Sequence, residues 1–383
     1  GRPKLGISRQ EENVKKGLLK LFGGVMLIAL LVPLIAACAK PAPSPSPAPA
    51  PAPAPKPTTS TPTVTSTPTP SAITMPKTVW RVHSVMPEDN YMFKDLLKFG
   101  DAVKTITNGQ LEIKAYPNSS LGYTGQEILR VLRDGLVDAS DISGGYVEGD
   151  APILGISQFP YLIQTYAEGK KIMPVMLDVY GSEVAKWGGV LLSVTTYPEQ
   201  YLFANKPIKS MADFKGMKLR TYSAYWSQVT QDAGASAVNI PAAELYNSLQ
   251  RGIAEGTWTA TTTAQSFKLY EVLKTTNKVG AGLSLGMFAV NKKAWDAVPA
   301  AYQAQIKDAA NKILVQQMWA DAEKDSDTAL AFLNSKGMAY NEAPPEVVSA
   351  LTKLASAGWD KWGAKVGPDG VAALNKIRQP LGR

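Results

Sequence analysis

Cysteine and histidine are almost absent. The 383 residues contain one of each, Cys38 and His83. Beyond Cys38 the chain therefore has no disulfide framework, no thiol nucleophile and no thiolate metal site. The same scarcity bears on catalysis. GLSLG at 282–286 fits G-x-S-x-G, but a nucleophile elbow needs strand, turn and helix, with a histidine later in the chain. Here 287–290 reads as another strand, and the sole histidine lies far upstream. Metal chemistry lacks its His/Cys sets, and EGD at 148–150 reads as an ordinary loop. No glycine-rich phosphate cradle is evident, so no cofactor and no metal are expected.

A basic surplus is also missing where it would matter. Of the 40 Lys/Arg and 32 Asp/Glu, nine and two lie in residues 1–77, which leaves 31 and 30 for the remainder. The high isoelectric point belongs to the front of the chain. No basic face is left over for a phosphate backbone, so nucleic acid is not an expected partner.

What is present begins with an address. Six Lys/Arg in the first twenty residues precede an uncharged run at 21–37 that ends in IAAC at 35–38. A basic segment, an apolar segment and small residues before a cut form a secretory signal. The IAAC ending resembles a bacterial lipobox, in which the cysteine becomes the lipidated first residue, so Cys38 is the expected lipidation site. A retained signal anchor is the alternative. Between 41 and 76 come thirteen prolines among Ala, Ser and Thr. Such a stretch favours extended polyproline II and has no packed core. It reads as a spacer between a membrane anchor and a folded domain, or else as a cell-wall or glycosylated stalk.

From residue 78 the pattern is α/β. Strands are expected at 78–85, 111–115 and 136–142, and helices at 91–107 and 127–133, with Gly109 and Gly135 as stops. Alternation of this kind implies a largely parallel sheet. It recurs after residue 200. Ser210 and Asp213 have capping-box spacing, 217–221 reads as a strand, and 301–335 as one long helix. About 300 folded residues in two α/β halves imply two lobes. Ligands of open α/β sheets bind beyond the carboxyl ends of the strands, and Arg220 ends the 217–221 strand. A guanidinium there serves either a structural salt bridge or a bound carboxylate, which its planar fork matches. His83, at the end of the first strand, reads as a ligand contact or as a satisfied structural histidine.

Seven short runs, in order, carry a more specific signal: GQLEIKAYP at 109–117, SLG at 120–122, GLVD at 135–138, FPY at 159–161, KPI at 206–208, DFKGMKLR at 213–220 and ELYNSLQ at 244–250. Together they resemble the extracytoplasmic solute-binding proteins of tripartite ATP-independent periplasmic (TRAP) transporters. The resemblance implies an α/β, two-lobe periplasmic-binding-protein-like fold, with a ligand cleft between lobes joined by crossing strands and long helices. It implies a non-catalytic receptor outside the membrane that delivers a small organic acid to TRAP permease subunits. The expected division is 1–37 signal peptide, 38–77 lipidated cysteine and linker, 78–197 with 286–325 as lobe I, and 198–285 with 326–383 as lobe II.

The family's strand-closing arginine, which pairs with the substrate carboxylate, matches Arg220. Where relatives often carry a second arginine stands Gln200, and where an asparagine reaches the ligand stands Thr259, preceded by Trp258. Those departures leave the substrate open. Trp226 and Ser223, just past Arg220, and Ser143 and Tyr123 in the first half complete the expected cleft set. Tyr222, Tyr225, Trp226 and Trp258 read equally as core packing. An ATP-driven importer's binding lipoprotein shares the lobe architecture and stays open as an alternative, with a secreted hydrolase behind it.

Overall fold

A computed structural model describes residues 73–383. The leader, Cys38 and most of the proline-rich stretch lie outside the described residues. Helix α1 (Tyr91–Ile106) shows how local sequence sets an element. Asn90 caps its start by accepting from the Met92 amide at 3.0 Å, and Phe93, Leu96, Phe99 and Val103 share its buried face. Thr107 closes the last turn with a hydroxyl bond to Val103 O, 2.8 Å, and Gly109 leaves the helix at φ +73°.

Two sheets follow, one per lobe. The first has β1 (Thr78–His83), β2 (Leu111–Tyr116), β3 (Ala139–Ser143), β4 (Gly189–Tyr197) and β10 (Ser284–Asn291) in the order β2-β1-β3-β10-β4. The second has β5 (Gln200–Ala204), β6 (Lys218–Thr221), β7 (Ser236–Asn239), β8 (Gly256–Ala260), β9 (Thr275–Lys278) and β11 (Ala339–Glu342) in the order β11-β9-β5-β8-β6-β7. Both are mixed, which corrects the expectation of largely parallel sheets. β10 runs antiparallel to β3 and to β4, and β5 antiparallel to β8 and to β9. The reason is the crossing itself. The chain leaves the first sheet along β4, enters the second as β5, and returns through β9 into β10 in the opposite sense.

At that crossing the backbone is zipped. The Gln200 amide donates to Gly282 O at 2.9 Å, Tyr161 N to Ala281 O at 2.8 Å, and Leu283 N to Ile163 O at 2.7 Å. Gly282 has φ +81°, and a Cβ there would sit 2.2 Å from Ile163 O. The glycines of GLSLG are thus explained by backbone approach and by Gly286 packing on Tyr197, where a Cβ would meet the ring at 2.8 Å.

The long helix expected at 301–335 is present in three parts: Ala300–Ala310, a π-helical stretch Asn311–Gln317, and Met318–Ser335. It begins in the first lobe's core, through Tyr302, Ile306 and Leu314, and ends with Leu333 in the second lobe's core. At the C-terminus, Pro345–Val366 is followed by Pro368–Leu381. This last helix returns to helix Tyr166–Lys186, with Lys376–Asp178 at 3.0 Å and a two-pronged Arg383–Glu168 pair at 2.8 and 3.0 Å.

Candidate ligand cleft

Arg220 sits third in β6, between Val238 of β7 and Thr257 of β8, and is 3% exposed. Its Nε donates to Ile240 O at 2.9 Å, and its guanidinium lies 5.3 Å from the centre of the Tyr222 ring. No salt bridge to it exists among the described residues. Its Nη2 is buried and has no partner. A buried, unpaired charge costs several kcal/mol. Arg220 is therefore not half of a structural ion pair; it is a fixed cation lacking an anion.

A cavity of about 40 Å³ lies between the lobes and is lined by Arg220. Water needs roughly 10–15 Å³ of such space, so the cavity is on the scale of a few waters. Of the expected residues, Gln200, Thr259 and Ser143 also line it. Gln200, however, is already committed. Its amide nitrogen donates to Pro198 O at 2.8 Å, and its carbonyl end accepts from the Tyr222 hydroxyl at 3.4 Å.

Four expected contacts lie elsewhere. Trp258 neighbours Thr259 on β8, so alternation sends it to the opposite face. There its indole N–H donates to Thr230 Oγ1 at 2.8 Å, and its ring packs on Trp226 at 4.9 Å and Phe214 at 6.3 Å. Trp226 is 1% exposed within that same aromatic core. Ser223 is spent as a helix cap, its Oγ accepting from the Trp226 amide at 3.3 Å at the start of helix Ala224–Asp232. Tyr123 packs against the core and offers only its carbonyl, to His83 Nε2 at 3.0 Å. His83 is fully buried, with Nδ1 3.1 Å from Ser140 Oγ, a satisfied structural histidine.

Sequence reasoning missed much of the wall. Tyr197, Tyr146, Phe267, Met86 and Ser284 line the cavity, and so does Tyr222, for which core packing is the other reading from sequence. Tyr197 and Ser284 are directly paired across β4 and β10 at the crossing. The Tyr197 hydroxyl is buried and has no partner, and burial pushes its pKa well above the usual tyrosine value, so it remains a neutral donor. Signals were available: Tyr197 immediately precedes Pro198 at a strand end, and Ser284 sits within GLSLG. Among the lining residues Arg220 is the single charged one. The arrangement is an apolar, tyrosine-rich pocket with one cation and spare donors, and no group of three or more His, Cys, Asp or Glu among the described residues could hold a metal.

Two lobes closing on a small, cationic cleft define an extracytoplasmic solute receptor. The chain belongs to the bacterial extracellular solute-binding protein family 7, whose model matches residues 82–365. It is 26% identical over 326 residues to the C4-dicarboxylate-binding periplasmic protein DctP of Rhodobacter capsulatus, covering 79% of this chain and 91% of that one. Among solved structures, it resembles DctP6 of Bordetella pertussis, an extracytoplasmic solute receptor binding pyroglutamic acid (27% identity, TM-score 0.75, 79% of this chain and 100% of that chain). A TRAP solute-binding protein specific for pyroglutamate, from an unidentified marine microbe, is similar at 25% identity and TM-score 0.75, covering 80% and 100%. The fold and family are those of a TRAP solute receptor.

Proposed function

We propose that the cleft captures a compact organic monocarboxylate, fixes its carboxylate on Arg220, and that the loaded protein delivers it to a TRAP permease without catalysis. The observation that carries this reading is the buried, partnerless Nη2 of Arg220 at the cavity wall. One cation matches one carboxylate. A second carboxylate would meet no fixed positive charge among the lining residues, and an ammonium would meet no carboxylate. The aromatic walls suit a flat or ring-bearing remainder, with Tyr197 and Thr259 supplying hydrogen bonds. A cyclic lactam acid such as pyroglutamate meets each requirement, whereas a C4-dicarboxylate meets only the first. The family match favours the TRAP permease over an ATP-driven importer as recipient.

Calorimetry on the full chain tests the ligand class. L-pyroglutamate should bind more tightly than succinate, and tighter succinate binding would mean that another cation reaches the cleft. A ligand at about a hundred times its Kd adds roughly 2.7 kcal/mol to stability, so a melting-temperature screen of carboxylates can find the best one first.

We keep 78–197 with 286–325, and 198–285 with 326–383, as the proposed lobes. A leader at 1–37 and a lipidated Cys38 carrying a proline-rich tether at 38–77 are likewise proposals, supported by the sequence alone. Radiolabelled palmitate should label the wild type and not Cys38→Ser; an unlabelled wild type removes the anchor.

A further inference from the structure

Beside the ligand cavity, a second recess of about 500 Å³ is lined from both lobes and shares Tyr146 and Tyr222 with it. Glu148 lies on its first-lobe wall, one residue past the short helix Gly144–Val147 that follows β3. Ala224 faces it from the second lobe, as the first residue of helix Ala224–Asp232. The opening N–H groups of a helix have no intrahelical partner. Ser223 takes that of Trp226, and Glu148 Oε1 accepts the one from Ala224, across the cleft. Its other oxygen, Oε2, is buried and unpartnered. Beside it the Tyr225 hydroxyl donates to Pro152 O at 3.3 Å, a second bond between the lobes.

The surfaces around these bonds are shaped for contact. A Cβ on Gly145 would come within 3.1 Å of Ser223 Cβ, and one on Gly155 within 2.9 Å of the Tyr225 ring. Neither glycine has a positive φ, so close packing, not backbone conformation, accounts for them: against the opposite lobe at Gly145, and against both Glu148 of its own lobe and Tyr225 of the other at Gly155. The segment so gripped, 222–225, begins two residues after Arg220, with Tyr222 itself in the ligand cavity.

We propose that Glu148 is a positioning residue that latches the lobes shut, accepting the Ala224 N–H and so setting how long the cleft stays closed on its ligand. This rests on the carboxylate-capture reading only in having a ligand to retain. The latch itself is a property of the chain. Glu148 touches no part of the ligand cavity, so its loss acts on lifetime, not on recognition.

Two measurements on the full chain test it. With L-pyroglutamate as the probe, stopped-flow fluorescence should give Glu148→Ala a dissociation rate raised roughly tenfold and a nearly unchanged association rate, as for loss of one good hydrogen bond formed after encounter. Glu148→Gln, which keeps an acceptor oxygen, should restore slow release. Without any ligand, amide hydrogen exchange at Ala224 should be faster in Glu148→Ala than in wild type, with the melting temperature unmoved. Wild-type exchange at Ala224 together with wild-type release overturns the latch. If pyroglutamate binds no form of the protein, the ligand reading has failed, and exchange at Ala224 alone decides for or against the latch.

Discussion

At the residue scale the question is why a protein buries a guanidinium without a partner. Arg220 spends one donor on Ile240 O and leans on the Tyr222 ring, yet keeps Nη2 bare. That state is costly to the ligand-free protein, and in the proposed reading an incoming carboxylate relieves it. Arg220→Met keeps much of the volume and removes the charge. Pyroglutamate affinity should fall by about 2–5 kcal/mol, the usual loss when one partner of a buried charge pair is deleted. The ligand-free melting temperature should hold or rise, because an apolar replacement of an unpaired buried ion is neutral or stabilising. Arg220→Lys keeps the charge and loses the planar fork, so affinity should still drop. Calorimetry and ligand-free thermal melts on the same variants decide. Normal affinity with a sharply lower melting point would make Arg220 structural.

Elements explain what the sequence could disclose. Helix α1 was legible because its cap, its apolar face and its glycine stop are all local, within twenty residues. The place of Arg220 in the cavity wall was legible for a related reason, since it stands near a strand's carboxyl end in an α/β pattern. Trp258 was open between ligand contact and core packing; strand alternation puts its neighbour Thr259 on the cavity face and the larger ring in the core. Harder still were the crossings. β4 pairs with β10, roughly ninety residues away, and β5 with β8 and β9. Antiparallel pairing over such separations leaves no periodic trace. Tyr197 and Ser284, which meet only through that pairing, could not be joined from local pattern. The π-helical stretch inside the long helix was equally invisible, since Asn311–Gln317 keeps ordinary helix-forming residues.

At the scale of the whole molecule, closing the cleft should also move a proton. Open to water, Glu148 would titrate in the usual carboxylate range; in the closed form burial pushes it up to about 8, against the smaller opposing effect of the Ala224 N–H. The titratable and charged groups that share its recess are Tyr146 on its own lobe, Tyr222 and Tyr225 on the second lobe, and Lys365 on helix Pro345–Val366. Tyr225 is itself pushed above the usual tyrosine range by burial and stays neutral. A pKa raised by closure means that the closed form holds the proton. Its contribution is therefore complete below the open-state pKa, and is lost as pH rises through about 8. A protonated carboxyl still offers an oxygen to Ala224, so the latch survives protonation. Pyroglutamate binding at neutral pH should then take up close to one proton, seen as a dependence of calorimetric enthalpy on the buffer's ionisation heat. Affinity should weaken with rising pH by less than about tenfold per unit, the limit for one proton. Glu148→Gln, permanently neutral and still an acceptor, should bind with no proton uptake and lose this dependence. Proton uptake that persists in Glu148→Gln would assign the proton to another group, and none in the wild type would mean that Glu148 stays hydrated when the lobes close.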